Sequence, residues 1–161
     1  GCDVIDIATF RISKKEIIKL KKNIFRDFQQ WPPEIPKEGK GAFFAGCPGL
    51  ERLECENNVM SFGYYFALTT ISSVSDRNIG CCFDRNEWID TLGTGLPEVG
   101  YDLGGISGAP LLILNESNSG LLSWQLGGII YNAGKILGEI ILAHHAKFIY
   151  PDGSLERPYY R

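Results

Sequence analysis

The spacing of apolar residues near the N-terminus changes from that of a strand to that of a helix. Residues 4–12 are mostly β-branched or aromatic, which predicts a strand. Ser13 and Glu16 then form a capping-box pattern, in which each side chain satisfies a backbone N–H group at the start of a helix. Apolar residues at helical spacing continue to Phe28, and the Trp-Pro-Pro sequence at 31–33 ends the predicted helix.

Further along the chain, short apolar segments alternate with turn-forming residues. These patterns predict strands over residues 42–45, 60–68, 79–83, 110–114 and 124–131. Strands of this length and spacing are typical of a small antiparallel barrel or sandwich. A last set of apolar positions over residues 135–149 predicts a second helix. The expected architecture is mostly β, with one helix before the barrel and one after it.

Composition narrows the range of partners. The net charge is −3, which gives no electrostatic footprint for nucleic acid, and no apolar run approaches the roughly 20 residues that span a bilayer. The five cysteines are odd in number and include no Cys-x-x-Cys pair, which favours reduced thiols in a cytoplasmic protein. We therefore expect no nucleic acid, membrane, metal or cofactor.

The segment that most clearly suggests catalytic chemistry is the glycine-rich stretch around Ser107. Glycines at 104, 105 and 108 let the backbone turn sharply and let a substrate approach closely. Such a loop can aim the N–H groups of Gly105 and Ser107 at one point, as an oxyanion hole requires. A glycine-rich turn with an incidental serine has the same pattern, so this stretch alone leaves both interpretations open.

Four segments, in order, resemble the chymotrypsin/trypsin-like serine peptidases. Residues 105–111, Gly-Ile-Ser-Gly-Ala-Pro-Leu, resemble the nucleophile motif Gly-Asp-Ser-Gly-Gly-Pro-Leu of that family. Residues 6–11 resemble the strand that begins with the catalytic aspartate. Residues 43–49 resemble the strand end that opens the second barrel in many bacterial members, and residues 128–131 the strand that lines the substrate cleft.

This resemblance covers nearly the whole chain and implies its organisation. The implied fold is a chymotrypsin-like antiparallel β-barrel of bacterial type, comprising the second barrel and part of the first. Residues 1–13 would end the first barrel, and residues 14–40 would form the connecting helix and linker. Residues 41–134 would be the second barrel with the nucleophile loop, and residues 135–161 the C-terminal helix and tail.

The resemblance also implies a catalytic set for a serine endopeptidase. Ser107 would attack the scissile carbonyl and form an acyl-enzyme, while the N–H groups of Gly105 and Ser107 would bind the oxyanion. Asp6 would orient the histidine base. Asp3 is the rival for that role, and Asp6 is preferred because the Asp-Ile-Ala step matches the family.

A second implied set would bind the peptide or protein substrate. Tyr131, Asn132 and Ala133 would form the wall beside the bound peptide. Tyr101 and Asp102 lie where the family builds the floor of its primary specificity pocket. A carboxylate at Asp102 would favour a basic substrate side chain.

Two departures from the family pattern change the expectation. Ile106 replaces the aspartate that pairs with a new N-terminus in trypsin, which suggests no activation by cleavage. No histidine precedes Asp6, and the chain's two histidines, His144 and His145, fall in the predicted C-terminal helix. There we expect a surface or interface pair rather than a base.

Three functions follow from these departures. The first is a peptidase whose histidine and first barrel come from an upstream segment or another domain. The second is a non-catalytic interaction module that keeps the peptidase scaffold. The third is an unrelated β-barrel binding domain, which requires four ordered matches to be coincidental. The discriminating feature is a histidine upstream of Gly1 in the full polypeptide.

Overall fold

A computed structural model describes residues 5–21, 31–55, 59–90, 93, 95–98, 101–117, 119–134 and 140–156 of the chain. The elements are helix α1 at Lys14–Leu20 and strands β1 at Gly41–Gly46, β2 at Arg52–Cys55, β3 at Val59–Phe62, β4 at Tyr65–Val74, β5 at Asn78–Cys82, β6 at Pro110–Glu116, β7 at Leu122–Gly134 and β8 at Ile140–His145. Single 3₁₀ turns lie at Gly49–Glu51, Arg85–Glu87 and Ala146–Phe148. Within the described ranges, no helix is long and apolar enough to cross a membrane.

Six of the strands close into one antiparallel barrel. Their order around the barrel is β1-β4-β5-β8-β7-β6, and β6 pairs with β1 to complete the ring. The neighbours β6-β1-β4-β5 form a Greek key, because the fourth barrel strand in sequence returns to lie beside the first. Strands β2 and β3 form a separate hairpin. The predicted mostly-β barrel is therefore confirmed.

The core lies inside the barrel because alternate strand residues point inward. Phe44 of β1, Ile71 of β4, Leu111 of β6, Ile130 of β7 and Ile141 of β8 are all buried there. The predicted strands at 42–45, 79–83, 110–114 and 124–131 correspond to β1, β5, β6 and β7. The single strand predicted at 60–68 is instead two, β3 and β4, which Gly63 and Tyr64 separate.

The strand predicted over residues 4–12 is wrong over its described part. Residues 5–12 have no regular secondary structure and are mostly exposed, with the Phe10 side chain 83% exposed. A strand is stabilised by its cross-strand pairs, and this segment pairs with none of the described strands. The capping box that follows is confirmed, because the Ser13 and Glu16 side chains bond each other's backbone N–H groups. Residues 22–30 of the predicted helix lie outside the described residues.

The predicted C-terminal helix is also wrong over its described part. Residues 140–145 form β8, which pairs with β5 on one side and β7 on the other. The barrel therefore extends to His145, beyond the boundary expected at residue 134. A short apolar run fits both helical and strand spacing, and here the two open strand edges of β5 and β7 decide the outcome.

Candidate functional site

Two tight turns present Ser107 at the barrel surface. The backbone φ angles of Gly105 and Gly108 are 97° and 90°, which side chains other than glycine rarely adopt. The Ile106 N–H donates to the Leu103 carbonyl at 3.2 Å, and the Ala109 N–H donates to the Ile106 carbonyl at 2.9 Å. Ser107 lies between these turns with its side chain exposed.

The loop is fastened to the barrel on both sides. On one side the Gly49 N–H donates to the Gly104 carbonyl at 2.7 Å, and a Cβ added to Gly105 would lie 2.8 Å from the Gly49 nitrogen. On the other side the Gly108 N–H donates to the carbonyl of Ile130 in β7 at 2.8 Å. Between them Ile106 is buried in the core, so an apolar residue at this position anchors the loop without an ion pair.

Two N–H groups of the loop remain without an internal acceptor. The Gly104 N–H donates to the Asp102 carboxylate at 2.8 Å, and the N–H groups of Ile106 and Gly108 bond to carbonyls. Among the described residues, neither the Gly105 nor the Ser107 N–H donates a hydrogen bond. Two uncommitted donors beside an exposed hydroxyl are one requirement of an oxyanion hole.

The Ser107 hydroxyl has a backbone partner rather than a basic one. Its Oγ donates to the carbonyl of Tyr131 in β7 at 3.2 Å. Within the described part of the chain, no hydrogen bond joins Ser107 to His144 or His145. Ser107 and Tyr131, two of the predicted site residues, are therefore adjacent. Asn132 and Ala133 follow Tyr131 along β7, exposed and half-buried respectively.

The backbone of Asp6 contacts His144. The His144 ring stacks on the Tyr131 ring with centroids 4.1 Å apart, and its Nε2 accepts the Asp6 backbone N–H at 3.3 Å. Burial lowers the pKa of His144, and the backbone of Arg77 and the charge of Asp6 oppose this shift only in part. His144 is therefore neutral near pH 7, as an accepting Nε2 requires.

The expected surface or interface pair of histidines on a helix is instead a buried pair on a strand. His144 and His145 are only 8% and 1% exposed, and both lie on strand β8 rather than on a helix. The His145 Nε2 lies 2.8 Å from the Ser75 carbonyl oxygen, and burial lowers the pKa of this histidine too. The His144 Nδ1 is buried without a hydrogen-bond partner, and within the described residues neither imidazole bonds to the Ser107 hydroxyl, so neither histidine is placed as its base.

Tyr101 and Asp102 contact other residues than Tyr131 does. The Tyr101 hydroxyl donates to the Glu51 carboxylate at 2.7 Å, and the centroids of the Tyr101 and Tyr65 rings are 5.4 Å apart. Burial, followed by this hydrogen bond, raises the pKa of Tyr101, so the hydroxyl stays protonated. Asp102 is exposed, and its carboxylate accepts a hydrogen bond from the Gly104 N–H. The aromatic surroundings of Tyr101 were not expected from the sequence.

Searches of protein-family models, curated proteins and solved structures found no match to this chain. The function is therefore inferred from the geometry of the chain itself. Within the described ranges, no three His, Cys, Asp or Glu side chains are grouped so as to hold a metal ion.

Sequence reasoning missed a groove beside β4. It has a volume of about 650 Å³, and its lining includes residues 64–68, 87–90 and 95–97. The ring centroids of Phe83 and Trp88, which are near each other in sequence, are 4.5 Å apart, and Tyr65 and Tyr101 join them from other parts of the chain. The contacts of the Tyr65 ring with Phe83 and Tyr101 join distant residues of the chain, so no local pattern signals the groove.

Proposed function

We propose that this chain is the nucleophile-bearing barrel of a trypsin-like serine endopeptidase, with Ser107 as the nucleophile. The observation that carries the proposal is the pair of uncommitted N–H groups at Gly105 and Ser107 beside an exposed Ser107 hydroxyl. Donors that are already in place and need no rearrangement stabilise the oxyanion of acyl transfer most effectively.

The surrounding fold supports a chymotrypsin-like assignment. The barrel is closed, six-stranded and antiparallel with a Greek-key order, and the Ser107 loop leads directly into β6. The buried Ile106 and the Gly49–Gly104 hydrogen bond hold the loop rigidly, as precise placement of a nucleophile requires. Substrate would lie along β7 next to Tyr131, whose carbonyl already reaches Ser107.

The proposed chemistry needs a base from outside this sequence. Ser107 Oγ attacks the peptide carbonyl carbon while its proton passes to a base, and the same base then protonates the leaving amine. The chain has two histidines, and both are engaged elsewhere. We propose that a histidine of another polypeptide segment acts as the base and that Asp6, after releasing its backbone contact with His144, orients it.

A non-catalytic interaction module is the second candidate. The observation that favours it is the Ser107 hydrogen bond to the Tyr131 carbonyl, with no basic side chain of the described residues at the hydroxyl. In that function the same loop is a structural turn of the barrel. The two candidates differ in whether the hydroxyl reacts.

Active-site labelling separates the two candidates. The protein purified from its natural source is treated with a fluorophosphonate probe, and the adduct is located by intact mass and peptide mapping. Ser107→Ala should abolish the adduct. Ser119→Ala is the matched control, because Ser119 is an exposed serine followed by a positive-φ glycine in another turn, and it should leave labelling unchanged. An unlabelled natural protein would reject the peptidase and favour the interaction module.

A further inference from the structure

Among the described strands, β4 is paired along only about half of the edge that faces β5. On its β1 side, pairing runs from Tyr65 to Thr70. On its β5 side, pairing begins only at Thr70 and continues to Val74, because β5 ends at Cys82. Along residues 65–69, no described strand therefore pairs with the β5 side of β4, and this stretch is called the open edge below.

The backbone groups that face this edge can be assigned from the hydrogen bonds of Ile71. Its N–H donates to the Lys40 carbonyl and its carbonyl accepts the Gly39 N–H, so Ile71 faces the β1 side. Successive residues of a strand direct their N–H and C=O groups to opposite edges, so those of Phe66 and Leu68 face the open edge. Outside the strand ladders, no described residue bonds to the backbone of either.

Residues 64–68 of the groove lining include most of this open edge. The β4 wall of the groove includes Phe66 and Leu68, whose side chains are 40% and 65% exposed. Trp88 and Ile89 line the same groove. At about 3.4 Å per residue, the open edge accommodates about five residues of an extended chain, roughly 17 Å.

The charged side chains that line the groove indicate which kind of ligand it would bind. Three carboxylates, those of Glu51, Glu87 and Asp90, are among its lining side chains, and no lysine or arginine is among the described ones. Asp90 accepts the N–H groups of Gly93 and Gly95, whereas Glu87 is exposed on the groove wall. A groove lined by both carboxylates and Trp and Tyr rings favours an ammonium or guanidinium group, by Coulomb attraction and cation–π contact.

We propose that the open edge of β4 binds an extended, lysine- or arginine-containing segment of a partner protein as an added strand. Backbone hydrogen bonds to Phe66 and Leu68 supply affinity, and a basic side chain in the groove beside Trp88 and Glu87 supplies specificity. This surface includes neither Ser107 nor Tyr131, so it serves a peptidase or an interaction module equally. The inference does not rest on the proposed function.

Binding of defined peptides to the full chain tests this inference. The probe is a fluorescent ten-residue peptide of alternating valine and lysine, measured by fluorescence anisotropy. Two comparison peptides replace lysine with glutamate or carry N-methyl groups at every second backbone nitrogen. We expect the lysine peptide to bind about tenfold or more tightly than either, since N-methylation blocks strand addition and glutamate reverses the charge. Equal affinity for the lysine and glutamate peptides, or for the methylated and unmethylated ones, would overturn the inference.

Two variants locate the site on the protein. Glu87→Lys should weaken binding of the lysine peptide about tenfold, whereas Glu116→Lys, an equal charge change on an exposed residue at the end of β6, should weaken it less than about twofold. Leu68→Pro removes one N–H from the open edge and should also weaken binding, with circular dichroism checking the fold. Should Leu68→Pro unfold the barrel, Glu87→Lys against Glu116→Lys still decides. Equal effects of those two would place the peptide elsewhere.

Discussion

The turn that carries Ser107 makes a sharp prediction about its two flanking glycines. Gly105 and Gly108 have nearly the same positive φ, 97° and 90°. A Cβ at Gly108 would meet nothing within 4 Å, whereas one at Gly105 would lie 2.8 Å from the Gly49 nitrogen and 3.3 Å from its Cα. Alanine at the two positions therefore carries the same backbone strain but only one severe contact.

The magnitudes follow from these two contributions. Alanine at a positive φ costs about 1–2 kcal/mol, so Gly108→Ala should lower the free energy of unfolding by about that much. Gly105→Ala must also displace backbone at Gly49, whose N–H bonds to Gly104 at 2.7 Å. Loss of that hydrogen bond adds about 1 kcal/mol and the overpacking about 1–2 kcal/mol, so the total is about 3–5 kcal/mol.

Urea unfolding monitored by tryptophan fluorescence measures the difference. For a domain of this size, with a slope of about 2 kcal/mol per molar urea, the Gly105→Ala midpoint should fall about 1 M below that of Gly108→Ala. The slopes of the two variants should agree, since the same surface is exposed on unfolding. Midpoints within about 0.2 M of each other would refute the contact between the Ser107 loop and Gly49.

Two further predictions concern buried titratable groups. Burial lowers the pKa of both His144 and His145, so the unfolded chain binds protons more readily than the folded one as the pH falls below 6.5. The free energy of unfolding should be constant above that pH and fall below it. In urea unfolding from pH 7 to pH 5, His145→Gln should reduce this pH dependence. An unchanged pH dependence would contradict the lowered pKa of His145. Burial also raises the pKa of Cys81 to about 12, so iodoacetamide should label Cys47 and Cys82 but not Cys81 in the folded protein. Peptide mapping checks this, and equal labelling of Cys81 and Cys82 would mean that the barrel opens readily.

The sequence predicts those elements whose local pattern agrees with their place in the barrel. Strands β1, β5, β6 and β7 have turn residues at their ends and apolar residues facing the core, and all four were expected. The errors occur where long-range pairing decides. Residues 5–12 have strand propensity but no partner, and residues 140–145 become a strand because β5 and β7 flank them.

The candidate site divides in the same way. The Ser107 loop is visible in the sequence because its glycines are required locally by positive φ angles. The position of Tyr101 against Glu51, and of Asp6 against His144, depends on segments that are distant along the chain. Residue types and spacing carry no information about such contacts, so the groove and the engaged histidines were found only in three dimensions.

The pairing of β5 with β8 also sets the order in which the barrel can form. Asn78 pairs with His144, and Phe44 of β1 pairs with Leu111 of β6, so both pairings join distant parts of the chain. Loops of this size close slowly relative to hairpins, which places the barrel among the slower-folding topologies. During synthesis, the edges of β5 and β7 stay uncovered until residues 140–145 leave the ribosome. The nascent chain therefore depends on β8 for protection of these edges against aggregation.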